Sequence, residues 1–190
     1  VLNMLSKNGY HDIAYEMVTK TEYPSWGYWI EKKGATALVE GWAVDDSQSL
    51  NHVFLGEVSA WMIKTLAGIN YVSDNPGFRK IHIKPLPPKS GLDFAKASFK
   101  TMNGVVSSGW EKQAGKIVYS IVVPPNTTAF VELHCADEDL VFLNEKDPLK
   151  SSASISDIDI RGKILSFLLK PGKYTFSSYL TTDSIGNQIK

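Results

Sequence analysis

The feature that most constrains this chain is a change of hydrophobic period near Pro76. Before it, apolar residues recur at spacings of three and four, as on one face of a helix; after it they recur every second residue, as on one face of a strand. A chain that switches period once must place helices and a sheet in succession, which predicts an α+β fold. The helical part, residues 1 to 70, resolves into pieces. Val1 to Lys7 is expected to close at Asn8-Gly9, a common left-handed stop, and Asp12 to cap a second helix over Ile13 to Thr19 with Ile13, Met17 and Val18 on one stripe. Pro24 forces Tyr23 to be extended, so the stretch up to Gly34 is expected to be a shaped loop with at most a short helix. From Ser49, the series Leu50, Val53, Phe54, Val58, Trp61, Met62, Leu66 and Ile69 predicts one long amphipathic helix.

After Pro76, about eight strands are predicted. They are centred on Ile81 to Ile83, Phe94 to Thr101, Val105 to Glu111, Ile117 to Val123, Thr128 to His134, Ile155 to Ile160, Ile164 to Leu169 and Lys173 to Ser178. Short turns at Met102-Asn103-Gly104, Gln113-Ala114-Gly115, Pro124-Pro125-Asn126 and Pro171-Gly172 join several of them, the pattern of an antiparallel β-sandwich. The domains are accordingly drawn at 1–72 and 73–190.

Charge narrows the choice of partner. Twenty basic and twenty acidic residues cancel, leaving no electrostatic footprint for nucleic acid or an anionic membrane, whereas a neutral sugar suits that balance. No apolar run approaches the ~18 residues of a membrane span. The single cysteine, Cys135, excludes an internal disulfide and is expected to be a small buried hydrophobe. No cofactor motif is present, and His11, His82 and His134 lack metal-ligand spacing. Val1-Leu2-Asn3-Met4-Leu5 has the pattern of the middle of a helix with no cap before it, so the chain is expected to begin inside a longer protein. Any export signal would then lie upstream, which leaves a cytoplasmic and an exported location equally open.

The densest chemistry lies between Tyr23 and His52. Three tryptophans, Trp26, Trp29 and Trp42, share this stretch with Glu40, which stands between Ala37-Leu38-Val39 and Gly41-Trp42. Indole faces stack on the apolar face of a pyranose, and a carboxylate among them can act as a general acid or base. Each of these aromatic residues has core packing as a competing role; Trp61, at core spacing in its helix, and Trp110, on a strand, are expected to be structural. Asp45-Asp46 offers a pair of carboxylates for a cation, against which a solvated turn is the simpler reading.

Several segments in order carry a resemblance. They are Pro24-Ser25-Trp26-Gly27-Tyr28, Gly34-Ala35-Thr36, Glu40-Gly41-Trp42, Asn51-His52, Phe54-Leu55-Gly56-Glu57-Val58-Ser59-Ala60-Trp61, Pro76 to Ile81, Ser107 to Trp110 and Val123 to Ala129. Together they resemble the C-terminal end of bacterial α-L-rhamnosidases of glycoside hydrolase family 78, over roughly residues 1 to 135. The resemblance implies that residues 1–72 are the last part of an (α/α)6 catalytic barrel and that 73–190 are the β-sandwich following it. It implies that Glu40 is the general base of an inverting hydrolase acting on terminal α-L-rhamnosides, that the general acid lies upstream of residue 1, and that this chain alone is inactive. His52 corresponds to a substrate-contacting histidine, and Trp42, Trp26 and Tyr28 become candidates for lining the sugar site. The loop from Ala43 to Ser49, between Glu40 and His52, is shorter than in those relatives. The partners implied are L-rhamnose-containing glycosides and the missing barrel helices, whose absence would leave an apolar patch that favours self-association. Two other readings stay open: a non-catalytic carbohydrate-binding or scaffolding module derived from such an enzyme, and part of another six-hairpin glycosidase.

Overall fold

The computed structural model describes residues 1–43, 49–135, 141–144 and 147–179. Two compact units are found, Val1–Met62 and Ile63–Lys190.

The first unit is helical: α1 (Leu2–Lys7), α2 (His11–Thr19), α3 (Trp26–Lys33) and α4 (Val53–Trp61). As the Asn8-Gly9 pair predicts, α1 ends before Gly9, which is left-handed at φ 85°. Helix α2 departs from expectation in two respects. It is capped at Tyr10, with Asp12 inside the first turn where its charge suits the helix dipole, and its buried face is His11, Ala14 and Val18 while Ile13 and Met17 are exposed. The aromatic stretch forms a genuine two-turn helix, α3, started by Ser25, whose hydroxyl accepts from the Tyr28 N–H at 3.0 Å, and stopped by left-handed Gly34. Gly27 lets α3 sit against the end of α2, because a side-chain carbon there would overlap the carbonyl oxygen of Lys20. Trp61 is fully buried, with its indole N–H donating to Ser6 Oγ at 3.0 Å and its ring 5.7 Å from that of His11.

The long helix expected from Ser49 to Ile69 is shorter than the apolar spacing predicts. Helix α4 is followed by a π-helical turn over Met62–Leu66, and Ile69 then opens a strand. The chain reverses at Gly68, at φ 82°, where any side chain would overlap the backbone of Lys84 and Pro85.

The second unit is a two-sheet sandwich of eleven strands among the described residues. One sheet orders β1 (Ile69–Tyr71), β2 (Lys80–Ile83), β6 (Thr128–His134), β10 (Ile164–Leu169) and β9 (Ile155–Arg161). The other orders β3 (Phe94–Thr101), β4 (Gly104–Gln113), β5 (Lys116–Val123), β11 (Gly172–Tyr179), β7 (Val141–Leu143) and β8 (Asp147–Pro148). All eight strands predicted from alternation are present; β1, β7 and β8 are additional. Pairing is antiparallel except between β2 and β6, which run parallel because the chain between them crosses to build β3, β4 and β5 of the other sheet. Alternate residues Ile117, Tyr119, Ile121 and Val123 of β5, and Leu165, Phe167 and Leu169 of β10, point into one core. Phe167 and Phe176 meet there from opposite sheets at 5.2 Å. Trp110 fills the core as expected and donates its indole N–H to the Leu66 carbonyl at 2.7 Å; Cys135 is buried in the same core. On the outer face, Glu132 accepts from His82 at 2.5 Å and from Lys84 at 3.1 Å. Partial burial pushes the Glu132 carboxyl upward, but the hydrogen bonds and charges of Lys84 and His82 outweigh this and hold it below its ordinary value.

Candidate functional site

The predicted site residues lie in the helical unit, on segments joined by backbone hydrogen bonds. Residues 38–40 run beside 49–52: the His52 N–H donates to the Leu38 carbonyl at 2.8 Å, and the Glu40 N–H to the Ser49 carbonyl at 3.0 Å. This clasp joins the segments that carry Glu40 and His52, although eleven residues separate the two in sequence. Val39, between the two paired positions, is buried at 2% exposure and anchors the strip, while Glu40 itself is exposed. The Glu40 carboxylate is oriented by the backbone of its neighbour, with Oε2 accepting from the Ser49 N–H at 3.2 Å. Glu40 is flanked by apolar residues in sequence, yet its side chain is not desolvated by them.

His52 is the N-cap of α4. Its Nδ1 accepts from the Phe54 N–H at 3.3 Å, so in the neutral ring the proton resides on Nε2, which is thereby a donor. The geometry at the helix start therefore selects the tautomer.

The tryptophans form a packed group. Trp42 lies against Trp29 at 4.8 Å with the rings tilted by 37°, and against Trp26 at 5.1 Å in an edge arrangement. Trp29 is 1% exposed and donates its indole N–H to the Trp42 carbonyl at 3.2 Å; Trp26 donates to the Leu55 carbonyl of α4 at 3.0 Å. Trp26 and Trp42 are half-buried and line an open cavity of about 490 Å³ together with Met17, Phe54, Leu55, Val58 and Trp61. Neither Glu40, His52 nor Tyr28 is among its lining residues. Tyr28 stands apart, edge-on to Tyr23 at 5.4 Å with Lys33 Nζ 5.9 Å above its ring.

Glu40 and His52 thus share one clasp, Trp26 and Trp42 share a tryptophan group beside it in the chain, and Tyr28 belongs to neither. Two residues were not singled out from the sequence: Ser49, which acts through an amide N–H that no spacing reveals, and Glu57, which accepts from Asn3 Nδ2 at 2.7 Å at the cavity edge and was hidden within an apolar motif. Trp29 stands out in the sequence as an aromatic candidate, but its indole bond to the Trp42 carbonyl does not. The Asp45-Asp46 pair lies outside the described residues. Among the described residues, no group of three His, Cys, Asp or Glu side chains is placed to hold a metal ion.

Comparison with known proteins places this geometry in a family. The model of the bacterial α-L-rhamnosidase six-hairpin glycosidase domain matches residues 1–66, and that of the bacterial α-L-rhamnosidase C-terminal domain matches residues 68–146. An α-L-rhamnosidase of Streptomyces avermitilis is 35% identical over 140 residues, covering 69% of this chain and 13% of that protein. One from Formosa agariphila is 29% identical over 184 residues, covering 92% of this chain and 19% of its own length. Among solved structures, an α-L-rhamnosidase from Dictyoglumus thermophilum superposes with a TM-score of 0.80 at 30% identity, over 94% of this chain and 20% of that one. The Streptomyces avermitilis enzyme in complex with L-rhamnose superposes with a TM-score of 0.78 at 29% identity, over 93% of this chain and 17% of that one. The chain thus spans about a fifth or less of the relatives it matches. With both domain models matched in order and the fold shared throughout, the chain belongs to the bacterial α-L-rhamnosidase family and corresponds to its C-terminal part.

Proposed function

We propose that this chain supplies the general base and one wall of the sugar site of an inverting α-L-rhamnosidase that hydrolyses terminal, non-reducing α-L-rhamnosides. The observation that carries this reading is the clasp that joins the segment of an exposed, amide-oriented Glu40 carboxylate to that of His52, whose Nε2 is a donor. In this reading Glu40 takes a proton from a water as that water attacks the anomeric carbon, and His52 donates to a sugar hydroxyl. The bond to the aglycone breaks on the opposite face, where a carboxylic acid protonates the leaving oxygen. Inversion requires that acid to stand roughly 6.5–9.5 Å from the base, leaving room for the water. We assign it to the part of the catalytic barrel preceding residue 1, together with most of the pocket. Trp26 and Trp42 would line the approach to the sugar, whereas Tyr28 has the weakest claim, being outside both groups.

Two proteins test this reading. The 190 residues alone are expected to show no turnover of an aryl α-L-rhamnoside, and the same chain joined to the preceding part of its reading frame is expected to hydrolyse it. Turnover by the 190 residues would place a complete acid and base pair inside this chain and overturn the division. An extended protein that binds rhamnose but does not hydrolyse the substrate would instead identify a non-catalytic carbohydrate-binding module.

A further inference from the structure

We propose that Trp29 is a positioning residue for Glu40, acting through the backbone of Trp42; this rests on the reading of Glu40 as the base. Glu40 sits on a short segment pinned on both sides. On one side, Leu38 and Glu40 are hydrogen-bonded to His52 and Ser49, and the Ser49 N–H fixes carboxylate Oε2. On the other, the carbonyl of Trp42, two residues beyond Glu40, accepts from the Trp29 indole at 3.2 Å, and the Trp42 ring is held between Trp29 and Trp26. Gly41, the residue between, has no side chain with which to hold itself in place. Trp29 is itself immobile: it is buried at 1% exposure in the middle of a helix capped at both ends, and its carbonyl accepts from the Ala35 N–H at 2.9 Å.

An exposed carboxylate on a glycine-containing segment samples many positions unless both flanks are tied, and general-base catalysis requires it to hold one water at one distance from the anomeric carbon. The tie on the 49–52 side alone leaves the Gly41–Trp42 backbone held only through the packing of the Trp42 ring. Trp29 closes the second tie. Its bulk serves the core, but its N–H serves the position of the base.

The experiment uses the extended, active protein, an aryl α-L-rhamnoside with a good leaving group, and the variants Trp29→Phe and Glu40→Gln, each with and without added azide. Trp29→Phe keeps an aromatic ring and removes the N–H. It is expected to lower kcat by roughly 100-fold with KM little changed, the size of effect a misplacement of about 1 Å produces. Azide is the discriminating reagent because it attacks the anomeric carbon without losing a proton. The C–N bond forms, the C–O bond to the aryl group breaks, the bonding pair leaves with the phenolate, and an inverted rhamnosyl azide results. A defect confined to the base is therefore expected to be rescued by azide in Glu40→Gln, where no carboxylate repels the anion, and adding Trp29→Phe to Glu40→Gln is expected to leave the azide-supported rate unchanged. A normal kcat in Trp29→Phe, or a further loss of azide-supported turnover when it is added to Glu40→Gln, would overturn the positioning role while leaving Glu40 as base. A normal rate in Glu40→Gln would instead remove the underlying reading. If Trp29→Phe does not fold, as judged by its unfolding transition, replacement of the Trp29 indole by its benzothiophene isostere decides the claim. That side chain keeps the bicyclic shape and lacks the N–H, so the same loss of kcat is expected, and a wild-type rate would contradict the positioning role.

Discussion

The two units bury their apolar residues to different degrees. In the sandwich, Ile81, Ile83, Val131, Leu165, Phe167 and Phe176 are completely buried in one continuous core that two sheets enclose. In the helical unit, Trp29 and Trp61 are buried, yet Val53, Phe54 and Ile30 are 85%, 76% and 67% exposed. A sheet pair closes on itself within this chain, whereas four short helices bury only part of what they carry. The lesson is that the sandwich is built to be stable by its own contacts, while the helical unit holds its candidate site through a few specific tethers.

The largest effect is expected in the sandwich core. Phe167→Ala removes a fully buried ring that meets Phe176 across the sheets, and should destabilise the sandwich by about 3–5 kcal/mol. Urea unfolding followed by near-ultraviolet circular dichroism checks this; a loss under about 1 kcal/mol would mean the core collapses around the gap and is less rigid than its burial implies. A smaller effect, about 1–3 kcal/mol, is expected in the helical unit from Ser6→Ala, which leaves the buried Trp61 N–H without its acceptor. Next comes self-association. The exposed helical residues should make the 190-residue chain sediment in a concentration-dependent manner, and Val53→Ser with Phe54→Ser should reduce this while changing stability by only about 0.5 kcal/mol. A monomer at all concentrations would show that exposure of these residues does not drive association.

The smallest expected effect is electrostatic. The Glu132 carboxyl is held below its ordinary value of 4.5 in the folded sandwich, so the folded state binds its proton less readily than the unfolded chain does. Its contribution is therefore fully present above pH 4.5 and is lost as the pH falls from there through the lower folded value. Glu132→Gln should flatten the fall in urea midpoint across that acid window. An identical acid slope in the variant would assign the dependence to other carboxylates.

Much of this fold was legible because period and turn chemistry agree after Pro76. Ile117 to Val123 and Ile164 to Leu169 alternate cleanly, since each strand has one face in the core. Ile69–Tyr71 was not legible as a strand: it is three residues long and its first residue continues the helical spacing of Leu66. Strands of two or three residues such as β7 and β8 carry no period at all. On α2, Ile13 and Met17 share a stripe but not the buried face, because spacing identifies a stripe without naming what covers it. Glu40 and His52 could be picked out by residue type and family pattern. The pairing of their segments depends on backbone bonds between Leu38 and His52 and between Glu40 and Ser49, which leave no local trace in the sequence. The indole bond from Trp29 to Trp42 is equally silent, since a buried tryptophan needs no partner to be explained as core.

The central claim is that Glu40 is the base of a rhamnosidase site. Its most direct test is kcat for an aryl α-L-rhamnoside in the extended protein and in its Glu40→Gln variant, after equal unfolding transitions show that both are folded. Loss of the carboxylate is expected to lower kcat by about 10²- to 10⁴-fold with KM little changed. Equal rates in the two proteins would contradict it and place the base on another residue.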